Sequence, residues 1–122
     1  MGFDFRERED GVIWVSFEGD VEEQDATASF QVYERAVERT PQDGTILFLV
    51  DVSRVGKASA KTRKAFIELF RGTERRMVRT AVVGANRYVT LIADFTLRML
   101  GKKQVRLFGS EQDALAWLKA GQ

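Results

Sequence analysis

The chain has 122 residues, 44% of them hydrophobic and 30% charged, which suits one folded domain and excludes a disordered acidic or basic tail. It contains no Cys and no His, so disulfide frameworks, zinc fingers, iron–sulfur clusters, thiol nucleophiles and Ser-His-Asp triads are all out of reach. The formal net charge is +1, yet residues 1–53 carry 4 Lys/Arg against 13 Asp/Glu while residues 54–106 carry 14 against 3.

Phe3 and Phe5 alternate with charged residues, and Glu9-Asp10-Gly11 supplies a turn before Val12-Ile13-Trp14-Val15-Ser16-Phe17. Asp-Gly between two alternating runs predicts a β-hairpin. Ile13, Val15 and Phe17 then face the core, and Trp14 lies on the other side as edge cover or part of a surface patch. Asp20, three residues before Glu23, fits a capping box for a helix whose inner stripe is Ala26, Phe30, Tyr33 and Val37 and which stops at Thr40-Pro41. Its outward face holds Glu22, Glu34, Arg35 and Glu38, as a solvated helix face would.

Thr45 to Val52 is a continuous apolar run of strand length, the pattern of a central strand covered on both faces in a parallel sheet. A loop from Ser53 to Ala58 leads to Ser59 as N-cap of a helix with Thr62, Phe66, Leu69 and Phe70 inside and Gly72 as its stop. Val78 to Gly84 is the next short strand. Asn86 opens a helical segment, Arg87 to Leu100, with two apolar stripes: Val89, Ala93, Leu97 and Leu100 on one side, and Tyr88, Leu91, Ile92, Phe95 and Met99 on the other. A surface helix needs only one, so the second should meet a partner subunit, another helix or an apolar ligand. Gly101-Lys102-Lys103 breaks that helix, Val105 to Phe108 is a last strand, and Ser110 to Asp113 caps a final helix containing Ala114, Leu115, Trp117 and Leu118. The order ββαβαβαβα predicts a single α/β domain over residues 1–122, with a mixed sheet of about five strands, about four helices and an antiparallel first hairpin.

Ligands in open α/β sheets sit at the carboxyl ends of the strands, which makes Asp51, Ser53, Ser59, Gly84, Asn86 and Arg87 the candidate site. The plainer expectation is that Asp51 and Ser53 hydrogen-bond the following turn. Gly56-Lys57-Ala58-Ser59 has a Gly, a Lys and a Ser before a helix but lacks the spacing of a nucleotide-binding phosphate loop. No cofactor or metal is expected, and a catalyst would have to rest on Asp51, Ser53 and Lys57 or Lys61 without a His, so no enzymatic activity is assigned. Arg71, Arg75, Arg76 and Arg79 cluster around one helix-to-strand connection, with few interleaved aromatics and no recognised motif, which disfavours nucleic acid. The opposite charges of the two halves either neutralise each other by packing or prepare the basic half for an anionic partner. No apolar run approaches the roughly 18 residues of a membrane span, and Met1 to Asp10 is charged where a signal peptide would be apolar, so a cytoplasmic protein is expected.

Glu18-Gly19, Leu49-Val50-Asp51-Val52-Ser53, Ala81-Val82-Val83-Gly84 and, above all, Val105-Arg106-Leu107-Phe108 followed by Ala114-Leu115-Ala116-Trp117-Leu118 resemble the SpoIIAA-like, STAS-like bacterial domain family over nearly the whole chain. The resemblance implies a four- or five-stranded sheet with helices, related to anti-sigma-factor antagonists and to lipid-carrying CRAL-TRIO domains. In the antagonists, the segment after the strand-end Asp leads to an Asp-Ser-Ser-Gly motif whose Ser is phosphorylated by a partner kinase. The same distance from Asp51 falls on Ser59-Ala60-Lys61-Thr62, so Ala60 and Lys61 stand at the Ser positions and Ser59 is the neighbouring hydroxyl open to modification. Two functions follow as expectations. One is a non-enzymatic regulatory or protein-interaction module, homodimeric through the 87–100 helix. The other is a small apolar-ligand or lipid-binding domain, with Tyr88, Leu91, Ile92, Phe95 and Met99 as a lid over Phe66 and Phe70 and with Arg75, Arg76 or Arg87 near an anionic headgroup.

Overall fold

A computed structural model describes residues 2–70, 78–84 and 105–120. Within them lie strands β1 (Gly2–Glu7), β2 (Val12–Val21), β3 (Ile46–Ala58), β4 (Val78–Val83) and β5 (Val105–Phe108), and helices α1 (Glu23–Arg39), α2 (Ala60–Phe70) and α3 (Glu111–Ala120). They form one sheet in the order β1-β2-β3-β4-β5, antiparallel between β1 and β2 and parallel elsewhere. This is the mixed five-stranded α/β fold that the pattern predicts. The segment Arg87 to Leu100 lies outside the described residues, as do Gly72, Arg71, Arg75 and Arg76.

The hairpin closes through Arg8 and Val12, whose backbones bond at 2.9 Å, and Gly11 takes φ 86°, the left-handed position a short hairpin loop requires. Alternation along β2 and β3 then splits the core in two. Val15, Phe17, Ile46, Phe48 and Val52 face α1, where Val32, Tyr33 and Ala36 meet them, and Phe66 of α2 joins the same cluster. Val12, Leu47, Leu49 and Ala81 face the opposite way, against Ala114 and Leu118 of α3. Trp14 is therefore neither edge cover nor a surface patch. It packs half-buried against this second cluster, with the Arg6 guanidinium 4.6 Å from its ring centre.

The first cluster is aromatic, with Phe3, Phe17 and Phe66 in consecutive ring contact at 5.3 and 6.0 Å, and Tyr33 stacked between Phe30 and Phe48. The second is aliphatic, and the fully enclosed Leu49 and Leu118 carry it. Burying such side chains is worth about 1.5–3 kcal/mol each, so the short α3 owes its place to Leu118 and Ala114 more than to helix propensity.

Charges fix the hairpin to α3. Asp10 accepts from the Arg8 guanidinium at 3.1 and 3.2 Å and from Val12 N–H at 3.2 Å, and it pairs with Lys119 at 3.3 Å; Arg8 also reaches Glu111 at 3.4 Å. Burial alone would raise the Asp10 carboxyl. The hydrogen bonds from Arg8, Val12 and Lys119, with the Arg8 charge, outweigh it and hold the group below its ordinary value.

Candidate functional site

At the carboxyl end of the sheet, β2 and β3 run on together well past the point where β4 stops. β4 ends at Val83, opposite Asp51, while β2 and β3 stay paired as far as Val21 and Ala58. The expected loop from Ser53 to Ala58 is thus strand, and so is the stretch from Glu18 to Val21. Two register shifts explain why neither looked like one. Between Ser16 and Glu18, β2 has one residue where β3 has two, Val52 and Ser53; between Gly19 and Val21, Asp20 opposes Gly56 and Lys57. Each extra residue is a β-bulge, which flips the side-chain alternation and leaves a backbone N–H without its ladder partner.

A carboxylate answers each bulge. Asp51 Oδ1 accepts from Ser53 N–H at 2.9 Å and from the Ser53 hydroxyl at 2.6 Å, and Asp20 Oδ1 accepts from Lys57 N–H at 3.0 Å. The Asp20 contact needs Gly56, because a Cβ there would stand 2.6 Å from Asp20 Oδ1. Asp20 is accordingly not the helix cap. Glu22 takes that place, its N–H donating to Asp25 at 2.8 Å. The chain leaving β4 presses on the first bulge: Gly84 has φ 82°, and a Cβ on it would lie 2.6 Å from the Ser53 Cβ. Only glycine meets both conditions.

Ser59 caps α2 as expected. Its Oγ accepts from Thr62 N–H at 3.1 Å and contacts the Thr62 hydroxyl at 3.1 Å, and Thr62 is the polar side chain among the described core residues. The inner stripe of α2 includes Ile67, which the spacing did not single out, with Phe66 beside it. In the Gly56-Lys57-Ala58 stretch the Lys57 N–H is taken by the Asp20 carboxylate and is not offered to an outside anion.

The candidate residues therefore divide. Asp51, Ser53 and Gly84 converge at the strand ends, and Ser59 stands apart from them at the far end of the ribbon. Ser16 to Val21 spans the same stretch on β2, roughly 17 Å at 3.3 Å per residue. Asn86, Arg87, Tyr88, Leu91, Ile92, Phe95 and Met99 lie outside the described residues. Between the two groups the ribbon exposes Ser53, Arg54, Gly56 and Lys57 on β3 and Glu18 and Asp20 on β2. Arg54 pairs with Glu18 at 4.0 Å, and beyond the ribbon Lys61 pairs with Glu23 at 3.4 Å, so the acidic and basic halves neutralise each other here in part. Sequence reasoning missed Asp20 and Gly56. The available signal was an Asp and a Gly in two segments that could pair.

No group of acidic side chains that could hold a metal ion occurs among the described residues. Nor is any helix among them long and apolar enough to cross a membrane.

Comparisons with known proteins place this architecture. The chain is similar in structure to an uncharacterized protein of the DUF3478 family with a SpoIIAA-like fold from Shewanella loihica PV-4, with a TM-score of 0.69 and 18% identity over 96% of this chain and 92% of that one. It is also similar to an anti-sigma factor antagonist from Mycobacterium paratuberculosis, with a TM-score of 0.58 and 20% identity over 97% and 93% of the two chains. A third likeness, TM-score 0.55 at 14% identity, covers 91% of this chain but only 20% of SLC26A9. No curated protein matches the sequence. The SpoIIAA-like family model matches residues 12–119, from the first buried valine of β2 to the lysine that binds Asp10, and the chain belongs to the SpoIIAA-like family.

Proposed function

We propose that the chain is a non-enzymatic, cytoplasmic regulatory module that docks a protein partner along the β2–β3 ribbon, between Asp51 and Ser53 at one end and Ser59 at the other. The observation that carries this reading is the ribbon itself. It is bulged twice and exposes Arg54, Lys57 and Ser59, in a family fold shared with an anti-sigma factor antagonist. Bulges that re-aim side chains at a strand end are a recurrent feature of functional edges. Asn86 and Arg87, which follow Gly84 in sequence, are the remaining partner-site residues of this proposal.

Of the two hydroxyls at the start of α2, Ser59 is the one available for modification, because Thr62 is 3% exposed. A phosphate there would sit at the start of α2, where the helix dipole favours it and where it would compete with Glu23 for Lys61, the two now paired at 3.4 Å.

The test is capture of a named protein by the tagged chain from its native cytosol, repeated with Arg54→Glu/Lys57→Glu and with Glu34→Gln on the exposed face of α1. The reading expects the ribbon variant to lose the partner and the α1 variant to keep it. Equal capture by all three, or by none, overturns it.

The dimer rests on the second apolar stripe, Tyr88, Leu91, Ile92, Phe95 and Met99. Light scattering should give a dimer for the wild type and a monomer for Phe95→Glu. A monomeric wild type removes that part of the proposal.

A further inference from the structure

On the α3 side of the sheet, two arginines share one tryptophan. Arg79 of β4 lies with its guanidinium 4.0 Å from the Trp117 ring centre, and Arg106 of β5 lies 5.8 Å from the same ring and 5.4 Å from Phe108. The register pairs Ala81 with Arg106, so Arg79 and Arg106 are diagonal neighbours on one face. Arg79 is pinned there. Its Nη2 donates to the Trp117 carbonyl at 3.0 Å, and its Nε is buried without an acceptor.

Among the described cations, Arg8, Arg39, Arg54, Lys61, Lys64 and Lys119 each have a carboxylate within 4.0 Å, whereas Arg6, Arg35, Lys57 and Arg63 have none but are not held against an aromatic ring together with a second arginine. Neither Arg79 nor Arg106 has such a carboxylate among the described residues. Two guanidiniums on one face repel each other, the Trp117 ring attracts Arg79 and offsets part of that repulsion, and an anion bound between them would remove the rest. A pinned guanidinium also loses little freedom when it binds, and its planar donors suit phosphoryl oxygens.

We infer that Arg79 and Arg106, framed by Trp117 and Phe108, bind the phosphoryl group of a small phosphorylated molecule at the β4–β5 edge. One face of Trp117 is taken by Arg79 and Phe108 packs at 5.5 Å from its ring, so recognition falls on the phosphoryl group and not on a stacked base. The site lies at the opposite edge of the sheet from β1 and does not depend on the ribbon.

Trp117 reports on it directly. In the full chain carrying Trp14→Phe, titration with inorganic phosphate and with pyrophosphate at constant ionic strength should give a saturable change in tryptophan emission, tighter for pyrophosphate. Calorimetry on the wild type should give the same dissociation constant without relying on the dye-like response of Trp117. Arg106→Gln, an exposed position, should weaken binding at least tenfold, and Arg63→Gln on α2 should leave it within twofold. No saturable response up to 10 mM pyrophosphate, roughly the weakest affinity that counts as specific for so small a ligand, overturns the inference. So does equal weakening by both variants, which marks diffuse electrostatics, and so does binding to phosphatidic acid vesicles with none to either soluble anion.

Discussion

The two ends of the sheet are held by the same side chain used in different ways. At the hairpin end, Asp10 gathers Arg8, Val12 and Lys119 from three parts of the chain, and its contacts join the first strands to the last helix. At the carboxyl end, Asp51 and Asp20 each serve one bulge, and neither reaches beyond its own ribbon. The first arrangement is tertiary and half-buried. The second is local and exposed. A loss at the hairpin end should therefore cost the whole domain, whereas a loss at the ribbon should change a surface and leave the core standing. The exception is Gly84, where the ribbon meets β4.

Gly84→Val should have the largest effect of any single change at either end. It combines a positive φ, costing about 1–3 kcal/mol for a residue with a side chain, with a Cβ that would overlap backbone and side-chain atoms of Ser53. We expect at least 3 kcal/mol of destabilisation in urea unfolding, or insoluble protein. A variant within 1 kcal/mol of wild type would mean that β4 does not press on the Ser53 bulge.

Asp10→Ala comes next. It strands the Val12 N–H in a fully enclosed setting and removes the partner of Arg8 and Lys119, so a loss of about 2 kcal/mol is expected. Amide exchange should speed up in both β2 and α3. Faster exchange in β2 alone would show that the Lys119 contact does not hold the helix.

Asp20→Ala should be milder, at about 0.5–1 kcal/mol, because water can replace the carboxylate at the exposed Lys57 N–H. In that background Gly56→Ala becomes tolerable, since the atom its Cβ would strike is gone; in the wild type the same change should cost more. The non-additivity of the pair, read from a double-mutant cycle, is the sharper measurement. Additive effects would separate Gly56 from Asp20.

The sequence is legible where burial repeats with a fixed period. Ile46 to Val50 reads correctly because both faces of β3 are covered, and Ser110 with Ala114 and Leu118 reads correctly because α3 is one capped, amphipathic turn after another. The ribbon is illegible for a definite reason. Each bulge inserts one residue, so alternation along Asp51 to Ala58 changes phase twice, and Gly56 with its charged neighbours then imitates a loop. Asp20 misleads by the same route. Three residues before Glu23 it has the spacing of a cap, and only the partner strand reveals that its oxygen is turned toward Lys57. Trp14 misleads differently, since alternation tells its direction but not that α3 covers that side.

Acid acts on the hairpin end through the smallest effect and the most specific one. The Asp10 carboxyl is held below its ordinary value of 3.8, so it binds a proton less readily folded than unfolded. Its contribution to stability is complete above that ordinary value, falls away as pH drops from it toward the depressed folded value, and vanishes where both states are protonated. Asp10→Asn removes the titration and should shrink its stability gap from wild type as the pH is lowered through that window. The comparison needs only urea midpoints at pH 7, 5 and 3, values chosen to bracket the ordinary carboxyl range of about 4. A gap for Asp10→Asn that does not change between the highest and the lowest of them would mean that Arg8 and Lys119 do not stabilise the charged form, and that the hairpin end is held by Val12 and Leu118 alone.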